Sequence, residues 1–199
     1  MSRYERMLQA KGYRFLAGVD EAGRGPLAGP VVAVACIIPP TVQIKGIKDS
    51  KVLTPEARKT LFRQIVSQTI VGVGVVGEQE IDQINILQAS LLAMKKAVLA
   101  LSITPDFILV DGTFPIDVPV PQKPVIDGDA RLVSIGAASI VAKVTRDEIM
   151  KDYDIEYPNY GFKDHKGYAT PAHIAALETH GPCPIHRMSF RPLVKHGQL

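Results

Sequence analysis

Cysteine is scarce in this 199-residue chain, which holds only Cys36 and Cys183. Two thiols so far apart, with no metal-ligand spacing around either, require neither a disulfide nor a zinc site. Cys36 falls in an apolar run and reads as a buried thiol; Cys183, between Pro182 and Pro184, reads as a loop residue. The expectation is a cytoplasmic protein with reduced thiols. Excess charge of one sign is also missing. With 23 basic and 20 acidic side chains the formal net charge is +3, so any contact with a polyanion must come from a local face. No apolar run approaches the length of a membrane span, and no membrane is expected as a partner. Met1 to Lys11 mixes charged and apolar residues and lacks the continuous apolar core of a secretory signal. No repeat period is visible, which excludes solenoids. P-loop and dinucleotide glycine spacings are absent, and no histidine pair forms a His-Glu-x-x-His unit.

What remains is 46% hydrophobic, enough for one compact domain with a small C-terminal appendage. The expected division is a domain over 1–150 and a helical extension over 151–199 packed on it. A short helix is predicted over 3–11. Phe15 to Glu21 and Val31 to Ile38 read as two strands on a short link, hence an antiparallel pair. Thr54-Pro55-Glu56 is an N-cap, a first-turn proline and a first-turn acid, opening a helix to about Ser67. Thr69 to Val76 is a third strand. Ile81, Ile84, Leu87, Leu91, Met94, Val98 and Leu101 recur at steps of three and four, predicting one continuous helix over 78–101. Phe107 to Val110 is a nearly unbroken apolar strand covered on both faces, in a parallel segment. Prolines 115, 119, 121 and 124 impose an extended loop, and Lys123 to Ile126 is a short fifth strand. A helix follows over 134–150, beginning with the small residues Gly136-Ala137-Ala138-Ser139. Thr170-Pro171 caps a last helix that closes before Gly181-Pro182. All five histidines (165, 173, 180, 186 and 196) lie after Lys151 and read as surface or polyanion-contacting side chains.

The chain is organised around Leu16 to Pro26, where an apolar run drives into Asp20-Glu21 and then Gly23-Arg24-Gly25. Adjacent carboxylates at the end of a buried strand repel each other and are costly to desolvate, and a divalent cation cancels both charges. Asp111 and Asp129 also follow predicted strands, so acids from three strand ends can share one sheet edge. Oxygen-rich clusters of this kind select Mg²⁺ or Mn²⁺. Taken singly, Asp111-Gly112 and Asp127-Gly128 are equally good turn signals. Successive strand residues point to opposite faces, so Asp20 and Glu21 reach one site only if the strand ends or bulges at Glu21. Lys143, Arg146, Asp147 and Lys151 are spaced either as surface ion pairs or as a face toward phosphates.

Long segments carry a resemblance. They are Gly18-Val19-Asp20-Glu21-Ala22-Gly23-Arg24-Gly25-Pro26-Leu27-Ala28-Gly29-Pro30-Val31, then Asp49-Ser50-Lys51, Val110-Asp111-Gly112 and Gly128-Asp129. Further on come Ala137 through Asp147, Tyr160-Gly161-Phe162, His165-Lys166-Gly167-Tyr168 and His186-Arg187-Met188-Ser189-Phe190. In this order, from Ala17 to Pro192, the chain resembles bacterial type 2 ribonuclease H, the ribonuclease HII family. The resemblance implies an α/β, RNase H-like five-stranded mixed sheet flanked by helices, with a helical C-terminal extension. It implies that Asp20, Glu21, Asp111 and Asp129 are the catalytic carboxylates holding Mg²⁺ or Mn²⁺ in a two-ion site. The backbone of Gly23, Arg24 and Gly25 would contact the ribose 2′-OH, and Tyr168 would pack on the next sugar. Lys51, Ser139 and Lys143 join them as substrate-binding residues.

The activity so implied is that of a metal-dependent endoribonuclease acting as a monomer on nucleic acid. It would cleave RNA in RNA/DNA hybrids and cut 5′ of single ribonucleotides in duplex DNA, leaving 3′-OH and 5′-phosphate ends. Two alternatives share the fold, since a fold does not establish an activity. A hybrid-binding protein would bind without releasing product, and a DNA nuclease would cut duplexes lacking ribose. One residue departs from the family pattern: Asp127 stands where a lysine usually precedes the Gly-Asp pair. The related type 3 enzymes carry an extra N-terminal domain and a glutamate at the fourth carboxylate. The nineteen residues before Asp20 and the aspartate at 129 favour type 2.

Overall fold

A computed structural model describes residues 1–47, 53–191 and 193. Lys51 with its Asp49-Ser50 neighbours, and His196, lie outside the described residues. The elements are α1 (Arg3–Ala10), β1 (Leu16–Ala22), β2 (Val31–Ile37), α2 (Pro55–Gln68), β3 (Ile70–Val76) and α3 (Glu78–Leu99). They continue with β4 (Phe107–Asp111), β5 (Gln122–Val125), α4 (Gly128–Arg131), α5 (Val133–Glu156), α6 (Phe162–His165) and α7 (Pro171–His180). The five strands form one mixed sheet in the order β3-β2-β1-β4-β5. β1 pairs antiparallel with β2 and parallel with β4, so the hairpin and the crossover both meet on the central strand. The expected α/β architecture is therefore present.

The period-2 alternation of the strands sorts the core into two layers. Ala17 and Val19 of β1, with Ile108 and Val110 of β4, pack on Ile81, Ala89, Ala93 and Met94 of α3. On the opposite face Val34 and Cys36 meet Leu61 and Ile65 of α2 and Ala137, Ala138, Ile140 and Val141 of α5. Leu16 and Leu109 meet Leu8 of α1 and Ile135 of α5 on that same face. The small residues of α5 let it lie flat on the sheet. A Cβ on Gly18 would stand 2.2 Å from the Ser134 carbonyl carbon, so β1 tolerates no side chain at that position.

The cap signals act as their chemistry demands. Thr54 accepts from the Ala57 amide and Thr170 from the His173 amide, each followed by a first-turn proline. Four features differ from the sequence reading. α3 breaks at Asn85, where φ is 67° and the side-chain oxygen accepts from the Leu87 and Gln88 amides, capping the second half anew. α5 runs on to Glu156. Asp129 stands in the first turn of α4, not at a strand end. Lastly, the buried Glu5 of α1 accepts from the Ser134 amide at 2.8 Å, supplying the N-terminus of α5 with a cap that its own sequence lacks.

Candidate active site

The site forms where β1 outruns its neighbour. Pairing of β1 with β4 stops at Val19↔Val110, while pairing with β2 continues unbroken to Ala22↔Val32. Asp20 and Glu21 therefore stand on a strand with one open edge. The register holds no bulge, which corrects the expectation that β1 must end or bulge at Glu21 for both acids to share a site. Asp20 faces α5, whose Ser139 hydroxyl hydrogen-bonds to it. Glu21 faces α3 and the hollow walled by Leu91 and Met94. The two meet because a cleft of about 310 Å³ wraps around the open edge of the strand.

That cleft is lined by Asp20, Glu21, Gly23, Arg24, Gly25, Asp111, Asp129, Ser139, Lys143 and Tyr168, together with Ala22 and Arg146. Every candidate residue among the described ones is thus brought to one place. Asp111 ends β4 beside Asp20, and its Oδ1 accepts from the Gly128 amide at 2.8 Å. Asp129 accepts from the Ala130 amide at 2.9 Å. Asp127, in the left-handed region at φ 54°, lines the adjoining hollow with Phe114 and Ile126 and leaves the cleft to Asp129.

The electrostatics are strained in the expected direction. Burial pushes the Asp20 carboxyl well above its usual range, and the neighbouring Glu21 and Asp111 carboxylates push it further. Burial likewise raises Glu21, against the pull of the Arg24 guanidinium 3.2 Å away. Glu21 Oε2 is buried with no hydrogen-bond partner among the described residues. Among the described residues no three acid, histidine or cysteine side chains are already drawn into a coordination sphere. The orphaned oxygen and the crowded carboxylates nevertheless form an all-oxygen donor set, which fits a hard divalent cation.

The cationic wall divides between the two readings left open by the sequence. Lys143 pairs with Asp147 at 2.8 Å and Lys151 with Glu148 at 2.7 Å, while Lys143 still borders the cleft. Arg146 also borders the cleft, but its guanidinium is spent on backbone carbonyls. It is 1% exposed and donates to the carbonyls of Pro30, Ala28 and Lys166. Its spacing from Ser139 and Lys143, seven and three residues, marks the α5 face that meets the cleft. The loop after β1 leans on it: Gly23 has φ +102°, and a Cβ there would stand 2.1 Å from Arg146 Nε.

Two histidines correct the sequence reading, while His180 is exposed as expected. His173 and His186 are buried, at 0% and 2% exposure, and join in a directed chain beneath Tyr168. The Cys183 amide donates to His186 Nδ1 at 2.9 Å, the two Nε2 atoms lie 3.0 Å apart, and His173 Nδ1 meets the Tyr168 carbonyl at 2.9 Å. A carbonyl only accepts, so His173 Nδ1 donates to Tyr168, and burial lowers the pKa of both rings. Tyr168 itself is 45% exposed, and its ring lies 3.6 Å from where a Gly25 Cβ would be. Both cysteines are free, Cys36 buried as expected.

The family model described as Ribonuclease HII matches residues 17–193. A ribonuclease HII from Chlamydia trachomatis is 54% identical over 194 residues, covering 96% of this chain and 89% of the relative. The one from Syntrophotalea carbinolica is 50% identical over 189 residues, covering 94% and 90%. Among solved structures, the ribonuclease H2 from Pyrococcus horikoshii superposes with a TM-score of 0.76 at 30% identity, over 91% of this chain and 96% of that one. A family match through both layers of the sheet, with matching relatives of nearly the same extent, settles the affiliation: the chain belongs to the ribonuclease HII family.

Proposed function

We propose that the protein is a metal-dependent endoribonuclease that hydrolyses the RNA strand of RNA/DNA hybrids and cuts 5′ of single ribonucleotides embedded in duplex DNA. The observation that carries this reading is the meeting of Asp20, Glu21, Asp111 and Asp129 with the Gly23–Gly25 loop and Tyr168 in one cleft. The four carboxylates would hold Mg²⁺ or Mn²⁺ as a two-ion site. Bound there, such ions supply Lewis-acid stabilisation of the phosphate and a more acidic water. The chain's own residues do the rest. Ser139 holds the Asp20 carboxylate in place, and among the described residues Glu21 Oε2 has no hydrogen-bond partner. The backbone of Gly23, Arg24 and Gly25 would take the 2′-OH, the one backbone group that separates RNA from DNA. A pocket whose polar groups require that hydroxyl rejects deoxyribose by leaving them unpaired. Tyr168 would pack on the following sugar without reading base sequence, while Lys143 and Lys51 would contact phosphates.

The same proposal includes a catalytic domain over 1–150 with a helical extension over 151–199, a monomeric state, and a cytoplasmic site of action. No helix among the described residues is long and apolar enough to cross a membrane. The test is a cleavage assay on three duplexes: a continuous RNA/DNA hybrid, a DNA duplex with one ribonucleotide, and all DNA. In Mg²⁺ or Mn²⁺ the first two are expected to yield 3′-OH and 5′-phosphate products and the third to remain whole. Binding without product would leave a hybrid-binding protein, and scission of the all-DNA duplex would leave a DNA nuclease.

A further inference from the structure

Arg187 is wholly buried, at 0% exposure, on the far side of the Gly23–Pro30 loop from the cleft. Its Nη2 donates to the Gly23 carbonyl at 2.6 Å and its Nη1 to the Arg24 carbonyl at 3.0 Å. Nε and Nη2 together grip the Gly29 carbonyl at 2.9 and 2.7 Å. The backbone beside it locks into the same loop, with the Arg187 amide on the Leu27 carbonyl and the Gly29 amide on the Ile185 carbonyl. Phe190 covers the guanidinium at 5.1 Å, and burial pulls its pKa down without taking a guanidinium out of its charged state. A fully buried cation that spends its donors on carbonyls of one short loop is costly to desolvate, and packing alone does not ask for it.

The geometry of a trans peptide shows what the fork achieves. Within each planar unit the C=O and the N–H point in opposite directions. Drawing the Gly23 and Arg24 carbonyls back onto Arg187 turns the Arg24 and Gly25 amides the other way, toward the cleft that both residues line. Among the described residues no protein acceptor faces either amide. Two aligned, unspent donors at the cleft wall make a preformed acceptor site for a ligand oxygen.

We infer that Arg187 is the positioning residue for ribose selection: its buried guanidinium presets the Arg24 and Gly25 amides toward the 2′-oxygen without touching substrate. This rests on the proposed reading of the loop as the ribose contact. Lysine cannot replace it, because a point charge on a flexible stem cannot hold three carbonyls in one fork.

The test measures binding by fluorescence anisotropy in EDTA, which removes the metal, on a DNA duplex carrying one ribonucleotide and its all-DNA twin. The unmodified protein is expected to prefer the ribonucleotide duplex. Arg187→Lys is expected to shrink that preference by about tenfold or more while the all-DNA affinity holds. Leu61→Ala, a core truncation on the buried face of α2, serves as the control for lost stability and should leave the ratio unchanged. An Arg187→Lys protein that folds and keeps the full preference overturns the inference. Absence of any preference in the unmodified protein would instead overturn the ribose reading itself. Should Arg187→Lys fail to fold, amide spectra of the unmodified protein decide. The Arg24 and Gly25 resonances must shift with the ribonucleotide duplex and stay put with its all-DNA twin. Equal shifts with both sink the inference.

Discussion

Ser139 of α5 hydrogen-bonds to the carboxylate of Asp20 on β1, tying the helix to an acid that burial and two neighbouring carboxylates all push toward protonation. The fold thus crowds Glu21 and Asp111 against the buried Asp20 carboxyl. Asp20→Asn should relieve that repulsion and raise metal-free stability by about 1 kcal/mol, as substitutions at strained functional sites commonly do. Urea melts in EDTA measure the gain. Cleavage of either ribose-containing duplex by the same variant should fall by at least about a hundredfold.

Metal should act in the opposite sense. Adding Mg²⁺ to the unmodified protein should raise its melting temperature, because a ligand that binds only the folded state stabilises it by mass action. Asp111→Asn should fold normally, show a smaller rise in thermal scans, and lose cleavage. An undiminished rise would remove Asp111 from the metal-holding set.

Gly23→Ala should be disproportionately harmful for a single methyl group. Its φ of +102° and the 2.1 Å approach to Arg146 Nε leave no room for a Cβ. A loss of about 2 kcal/mol is expected from backbone strain alone, read as a lower urea midpoint at unchanged slope. Cleavage at an isolated ribonucleotide should drop further than that loss of folded protein explains.

Tyr168→Ala should leave stability nearly unchanged, since the ring is 45% exposed. Cleavage of the single-ribonucleotide duplex should suffer more than cleavage of a continuous hybrid, because only the former presents one fixed junction to the ring. Matched losses in kcat/KM on the two substrates would deny Tyr168 that role.

Acid should loosen the C-terminal region through His186. Burial, helped by His173 and His165, lowers its pKa from 6.5 to about 4. The unfolded chain therefore takes up a proton near pH 6.5 that the folded chain refuses until about 4. This contribution to stability is complete above pH 6.5 and declines steadily as the pH falls toward 4. Urea midpoints measured from pH 8 to 4.5 should show the slope, and His186→Gln should flatten it.

Much of this molecule can be read from residue order because local chemistry and global fold agree. The threonine-proline caps, the apolar run of β4 and the acids at the ends of β1 and β4 each declare themselves within a few residues. Apart from the local cap at Asn85, what escaped depends on partners distant in the chain. Asn85 looks like one more helical position until its side chain is seen capping the second half of α3. His173 and His186 look like surface histidines because nothing local says that each will satisfy the other. Nothing near Arg146 or Arg187 in sequence marks them as buried, yet both donate to carbonyls more than a hundred residues away. The approach of Asp20 and Glu21 eluded reasoning on one strand alone. It depends on where β4 stops, and β4 lies about ninety positions further on.

The Glu5 carboxylate has a consequence for the order in which the protein is made. Its hydrogen-bond partner lies 129 positions downstream. α1 is synthesised before α5, and Glu5 has no α5 amide to cap until residues 133 and 134 have cleared the exit tunnel. Until then α5, which carries Ser139 and Lys143, starts from bare amides. The helix that carries Ser139 and Lys143 is thus fastened at its start by a residue synthesised long before it.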